Sequence, residues 1–175
     1  GKDGERGFRN VIANGIIPVI IAIFSTPLNE LSEGLAGFLF VVALAISASD
    51  TFGSEIGVIS KTPRLITKPS MVVSPGVDGG VSVLGTLAAF FGALMISVAG
   101  FFLVTDYMVT SPLHYNTGNF WIIAIPTLLG WLGCHVDSVL GATLQRKGIL
   151  TNNLVNFVTV IVCVIFITPL FIILA

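Results

Sequence analysis

Two carboxylates, Asp50 and Glu55, stand in SASDTFGSEIG (residues 47–57), at the end of a run apolar enough to cross a membrane. Another acid, Asp137, opens DSVLGATLQ (137–145) within a second such run, and Asp78 sits in the glycine-rich PGVDGGVS (75–82). An ionised carboxylate at membrane depth costs at least about 2.5–3.5 kcal/mol on insertion scales, so it requires a partner: Arg, Lys or a metal ion. Ion pairs to Arg64 or Arg146 that fix helix packing are one reading of Asp50 and Asp137. A metal site is the other, and the neighbouring residue types favour it.

Those neighbours are small and polar. On a helix Asp50 shares a face with Ser54, and Asp137 with Gly141, each four residues on. Ser138 and Gln145 flank the second acid, and Asn153 and Asn156, three apart, share a face where their amides can bind a polar group or cap the helix. Capping suffices for Asn152. The connection from Lys61 to Thr86 is basic and broken by Pro and Gly; Gly79, Gly80 and Ser82 lead into the next apolar run, where free backbone N–H groups can form an anion nest. Lys61, Arg64 and Lys68 supply countercharge there, Lys61 for topology and Arg64 and Lys68 for ligand contact. There is no GxxxxGK[ST], so this is not a Walker loop. The bland alternative is a linker whose cations obey topology or touch anionic lipid.

Carboxylates for a divalent cation, cations and backbone amides suit chemistry on phosphate groups, which needs charge neutralisation and alignment more than covalent participation by the protein. An acceptor phosphate is already anionic, so no general base is required. His135, about 200° around a helix from Asp137, does not share its face, and His114 falls in a different connection. Neither is assigned a catalytic role. Cys134 and Cys163 lie in apolar runs without disulfide or zinc spacing and read as small buried thiols.

The elements that position these residues follow from hydropathy. With 54% hydrophobic and 10% charged residues and a mean hydropathy of +0.99, the chain is an integral membrane protein. Apolar stretches at roughly 9–26, 34–52, 80–104, 119–144 and 153–174 predict an all-α bundle of about five transmembrane helices in a single membrane domain, with a long loop over 53–79. The runs are continuous rather than alternating, which excludes a β-barrel. Pro18 should kink the first helix, and a neighbouring helix must accommodate the freed carbonyl. No small-residue cleavage site follows that stretch, so it reads as a permanent span rather than a signal peptide. A start at Gly1 rather than Met points to an upstream segment.

The eight Lys and Arg residues fall in three groups: Lys2, Arg6 and Arg9; Lys61, Arg64 and Lys68; Arg146 and Lys147. These occupy alternate connections, which predicts a cytoplasmic N-terminus and an outside C-terminus. Asp50, Glu55, Asp78 and Asp137 then converge at the cytoplasmic face, with Asp137 up to about 13 Å below the surface that carries Arg146. Glu30, Glu33 and Asp106 lie on the other side as solvated loop charge.

Five blocks in order, SDTFGSEIG (49–57), PRLIT (63–67), PGVDGGVSVLGT (75–86), DSVLGATLQ (137–145) and NNLVNF (152–157), resemble the membrane family that contains transmembrane protein 19 and the plastid phytyl-phosphate kinase of vitamin E synthesis. That family is akin to the CTP-using phytol and dolichol kinases. Phe52 stands where the family commonly has Trp, and Asn153 where it commonly has Asp. The resemblance implies transfer of a phosphoryl group from a nucleoside triphosphate, CTP being a candidate, to an isoprenoid monophosphate of phytyl or geranylgeranyl type. Asp50 and Asp137 would hold Mg²⁺, with Asp78 as a further ligand and Glu55 as a supporting catalytic acid. Arg64, Lys68 and the Gly79–Gly80 backbone would neutralise phosphate. Ser82, Ser138, Gln145, Asn153 and Asn156 would contact substrate or nucleotide. The expected partners are nucleotide, lipid and the membrane, not nucleic acid; in a prokaryote the site would face the cytoplasm from the plasma membrane. A CTP-dependent lipid cytidylyltransferase would use the same groups, and a transporter or channel could also use buried acids.

Overall fold

A computed structural model describes residues 8–108 and 120–174. Lys2, Arg6 and His114, and the side chains of Arg9 and Asp106, lie outside the described residues. The helices are α1 (Phe8–Ile23), α2 (Ser25–Leu31), α3 (Leu35–Gly57), α4 (Val83–Met108), α5 (Trp121–Leu140) and α6 (Asn152–Leu174). A π-helical turn, Gly141–Gln145, extends α5. Four helices are long and apolar enough to cross a membrane, and a fifth span forms if α1 and α2, bent by 66°, count as one. The protein is thus an integral membrane helical bundle.

The bend lies at Phe24, between α1 and α2, rather than at Pro18, which remains inside α1. Proline offers no N–H to the carbonyl four residues back, that of Asn14. Ser47 Oγ of α3 lies 3.1 Å from that carbonyl and 3.1 Å from the Ala43 carbonyl of its own helix; its one proton is shared between them, so a neighbouring helix helps to satisfy the acceptor and α1 continues.

The central helix is α3. Its Leu35, Phe38, Leu39, Val42 and Ile46 are buried against Ile17 and Ile21 of α1 and Val160, Ile167 and Phe171 of α6. Phe38 and Phe171 stack with centroids 4.6 Å apart. On its other side α3 meets α4 and α5 through small residues, which let backbones approach where lipid removes the hydrophobic drive for association. A Cβ on Gly85 would lie 2.9 Å from the Gly53 carbonyl and 3.0 Å from Gly57 Cα. One on Gly130 would lie 2.7 Å from Ala93 Cβ and 2.9 Å from the Ala45 carbonyl. The outward faces carry large apolar side chains, among them Phe91, Phe102, Phe166 and Ile173, as a lipid-facing surface requires.

The expected loop over 53–79 is not loop throughout: α3 runs to Gly57, and the connection folds into a small antiparallel sheet. Its strands β1 (Arg64–Leu65), β2 (Lys68–Val72) and β3 (Gly80–Val81) lie in the order β2-β1-β3. Arg64 pairs with Val72 on one side and Val81 on the other. Strands of two residues are too short to show an alternating pattern, so the sequence carries no signal for them. Pro69, which cannot donate to a ladder, falls on the edge strand β2 as expected.

Candidate functional site

The ends of α3 and α5, the starts of α4 and α6, Asn10 of α1 and the sheet connection line a cavity of about 410 Å³, within the range of small-molecule sites. Asp50 and Glu55 reach its wall from α3, Asp137 and Ser138 from α5, Gln145 from the π turn, and Asp78, Gly79, Gly80 and Ser82 from the connection. Asp50 and Asp137 are half-buried, whereas Glu55 and Asp78 are exposed. The acids that sequence reasoning grouped from distant positions therefore meet on one cavity wall.

Asn156 of α6 stands directly behind that wall. Its amide nitrogen lies 3.4 Å from Asp50 Oδ2 and 3.2 Å from Asn14 Oδ1. With the amide turned over, the nitrogen donates to Asp137 Oδ2 at 2.9 Å and to the Asn152 carbonyl at 3.1 Å. One side chain, 4% exposed, thus reaches both carboxylates, which places them at the same depth and close together.

Several expected contributions take a different form. Among the described residues no three His, Cys, Asp or Glu side chains gather at metal-binding spacing, so Asp78 does not complete a three-acid cage with Asp50 and Asp137. The cations Arg64 and Lys68 do not reach the wall: both are exposed on the sheet, and Arg64 Nη1 donates to the Pro69 carbonyl at 2.8 Å, where it braces the β1–β2 turn. Gly80 is no free nest donor, because its N–H donates to the Val77 carbonyl at 2.9 Å. Ser82 Oγ accepts from the Gly85 N–H at 3.0 Å, which makes it the cap of α4. Ser138 Oγ donates to the Cys134 carbonyl at 3.0 Å. Half-buried Asn153 is not on the cavity wall.

Other wall residues were missed or set aside: Asn10, Cys134, His135 and Asn152. The Asn10 and Asn14 pair, four apart in an apolar stretch, was a readable signal, since amides within a span are costly without partners. His135 is held by its ring. Its Nδ1–H donates to the Trp131 carbonyl at 2.8 Å, and it packs edge-on against the Trp131 indole. The indole Nε1–H donates in turn to the Thr86 carbonyl at 3.2 Å.

Local backbone chemistry closes the cavity. The π turn forms where Arg146 N–H bonds the Gly141 carbonyl at 3.2 Å, widening the helix, and Gly79 packs onto it. Gly79 has φ +75, and a Cβ there would lie 2.7 Å from Ala142 Cα and 2.8 Å from Ala142 N. Gly79→Ala is expected to destabilise the protein by about 1–3 kcal/mol through strain at positive φ and to push the Asp78 loop off the helix end. A lower melting temperature with faster proteolysis between Ser74 and Gly80 would confirm it; an unchanged melting curve would refute it.

The profile of the family described as integral membrane protein DUF92 matches residues 1–164. The chain belongs to this family. It is 38% identical to an uncharacterized membrane protein of Methanocaldococcus jannaschii over 90% of this chain and 59% of that protein. Identity to Protein PGR of Arabidopsis thaliana is 29%, over 91% of this chain and 67% of the relative. Protein VTE6, chloroplastic, also of Arabidopsis thaliana, is 30% identical over 91% of this chain and 46% of its own length. The chain therefore spans only part of each relative. No solved structure matches it.

Proposed function

We propose that this DUF92 protein is a membrane-embedded phosphotransferase that moves a phosphoryl group from a nucleoside triphosphate, CTP being the leading candidate, to an isoprenoid monophosphate. One observation carries this reading: Asp50 and Asp137, from separate transmembrane helices, both line a polar cavity at one end of the bundle and reach a single amide behind its wall. The family resemblance to isoprenoid-phosphate kinases supports it.

The residues present fit Mg²⁺. That ion is held by one or two carboxylates plus substrate phosphates rather than by an all-protein cage, and two converging acids match this demand. When bound, Mg²⁺ would neutralise the triphosphate and the charge that develops during transfer. Asp50 and Asp137 would hold it. Glu55 and Asp78, at the exposed rim, would order water around it. The acceptor phosphate is its own nucleophile, so the protein's task is to align it and exclude water. Its apolar tail would lie toward lipid between α4 and α5. Exposed Lys61, Arg64, Lys68, Arg146 and Lys147 all belong to the connections at the cavity end, which favours a cytoplasmic site by the positive-inside rule and would draw anionic substrates toward it.

The test uses purified full-length protein with Mg²⁺, geranylgeranyl or phytyl phosphate, and CTP or ATP labelled at either the α or the γ position. Label from the γ position in an isoprenoid diphosphate is the expected result. Transfer of the α label identifies a cytidylyltransferase instead. Ion flux in liposomes without turnover identifies a transporter, a reading that the position of the acids at one end of the bundle disfavours.

A further inference from the structure

The Asn156 amide has two possible orientations, and chemistry chooses between them. One of its ends stands 2.9 Å from Asp137 Oδ2 and 3.1 Å from the Asn152 carbonyl, the other 3.4 Å from Asp50 Oδ2 and 3.2 Å from Asn14 Oδ1; both ends face acceptors, and the NH₂ belongs with the closer pair, Asp137 and Asn152. The other end is then the amide oxygen, and the Asn14 amide turns over with it, so that the Asn14 NH₂ in place of its Oδ1 meets that oxygen at 3.2 Å. This order satisfies both amides and leaves the Asn156 oxygen near Asp50 Oδ2, in the position 3.4 Å from it. Cations bound by oxygen at about 2.0–2.6 Å place adjacent ligands about 2.9–3.6 Å apart. At 3.4 Å the amide oxygen and Asp50 Oδ2 stand at the wide end of that range, so sharing octahedral Mg²⁺, whose adjacent ligands lie about 2.9 Å apart, requires them to close by about 0.5 Å.

The sequence builds this arrangement from two matched pairs. Asn10 and Asn14 are four apart on α1, Asn152 and Asn156 four apart on α6, and α1 and α6 pack together. The carbonyl of Asn14, freed by Pro18, is met by Ser47 of α3, three residues before Asp50. Main chain and side chain of Asn14 thus fix α1 to the two helices that bracket the acids.

We propose that Asn156 is a positioning residue for the acid pair, oriented by Asn14: its N–H holds Asp137, and its oxygen turns toward a divalent cation shared with Asp50. The proposal rests on the metal-dependent reading above and adds α1 to the site. Outer partners of metal ligands typically contribute 10–100-fold to affinity. Asn14, which touches no carboxylate directly, is the sharper place to test this.

Mn²⁺, whose paramagnetic signal is lost on binding, is titrated into purified full-length protein first alone and then with a non-hydrolysable CTP analogue, against the analogue without protein, and melting is followed separately in chelator. Asn14→Leu is expected to weaken Mn²⁺ binding by about 10-fold or more. In an Asn156→Leu background the same change should cost little further affinity, because the two act as a unit. Wild-type affinity in Asn14→Leu, with or without a lowered melting temperature, would overturn the proposal and leave the amides as a packing contact. If Asn14→Leu does not fold, Asn14→Gln displaces the amide by one methylene and is read by the same criteria. Failure of the wild-type protein to bind Mn²⁺, with the analogue as well as alone, would instead strike the metal-dependent function itself.

Discussion

Asp50→Asn and Asp137→Asn are each expected to lower phosphoryl transfer by at least 10²–10³-fold, roughly the loss seen when one electrostatic stabiliser of a transition state is removed. The changes are nearly isosteric, so the cavity keeps its shape and the amide contacts with Asn156 can persist in altered form. What disappears is negative charge, and with it the hold on a divalent cation that the proposed function requires. Stability should move the other way or not at all. Neutralising a carboxylate at membrane depth removes an insertion cost of about 2.5–3.5 kcal/mol, whereas breaking a structural ion pair leaves its partner charge unpaired and costs about 3–5 kcal/mol. Turnover and thermal unfolding measured on the same preparations therefore separate the two readings. Retained turnover with a sharply lowered melting temperature would mean that these acids tie helices together and carry no chemistry.

How much of this was legible in the sequence depended on the range of the signal. Hydropathy runs of about twenty residues encode spans directly, because the hydrocarbon thickness sets their length. The meeting of Asp50 and Asp137 was legible because each acid was improbable where it stood. Side-chain direction in the connection was not. Arg64 and Lys68 are cations beside a glycine turn, which suggests phosphate contact, yet strand pairing turns Arg64 onto the Pro69 carbonyl, and no periodicity in two-residue strands reveals that. Gly80 looked like a free donor because sequence does not tell whether a turn has already used its N–H. The role of α1 was hidden for another reason: Pro18 and Asn14 read as weaknesses of a span, and only their partners, Ser47 and Asn156, show them as attachments. Glycines were ambiguous throughout, since close helix packing and ligand approach need the same absence of a side chain. Gly79 serves the closing loop, while Gly85 and Gly130 serve helix contact.

Gly130 carries the second large effect, because it sets the distance between the helices that bear the two acids. It lies seven residues before Asp137 and so on nearly the same face of α5. A Cβ there would meet the Ala45 carbonyl of α3 at 2.9 Å and Ala93 Cβ of α4 at 2.7 Å. The first obstacle is backbone, which cannot rotate aside. Ala45 stands five residues before Asp50, so displacement of α5 at this crossing carries through to the acid pair. Gly130→Leu is expected to cost about 1–3 kcal/mol or more through overpacking and, if the bundle survives, to reduce turnover by about 10²-fold, in line with a misplacement of 1 Å at a reacting centre. Gly130→Ala should show a smaller loss of both, and adding Ala93→Gly should restore stability only in part, since it relieves the α4 contact and leaves the Ala45 carbonyl in place. Full rescue by Ala93→Gly would show that α4, rather than α3, limits the approach of α5. Turnover unchanged in Gly130→Leu, in protein shown to be folded, would mean that the spacing of α3 and α5 does not govern the site.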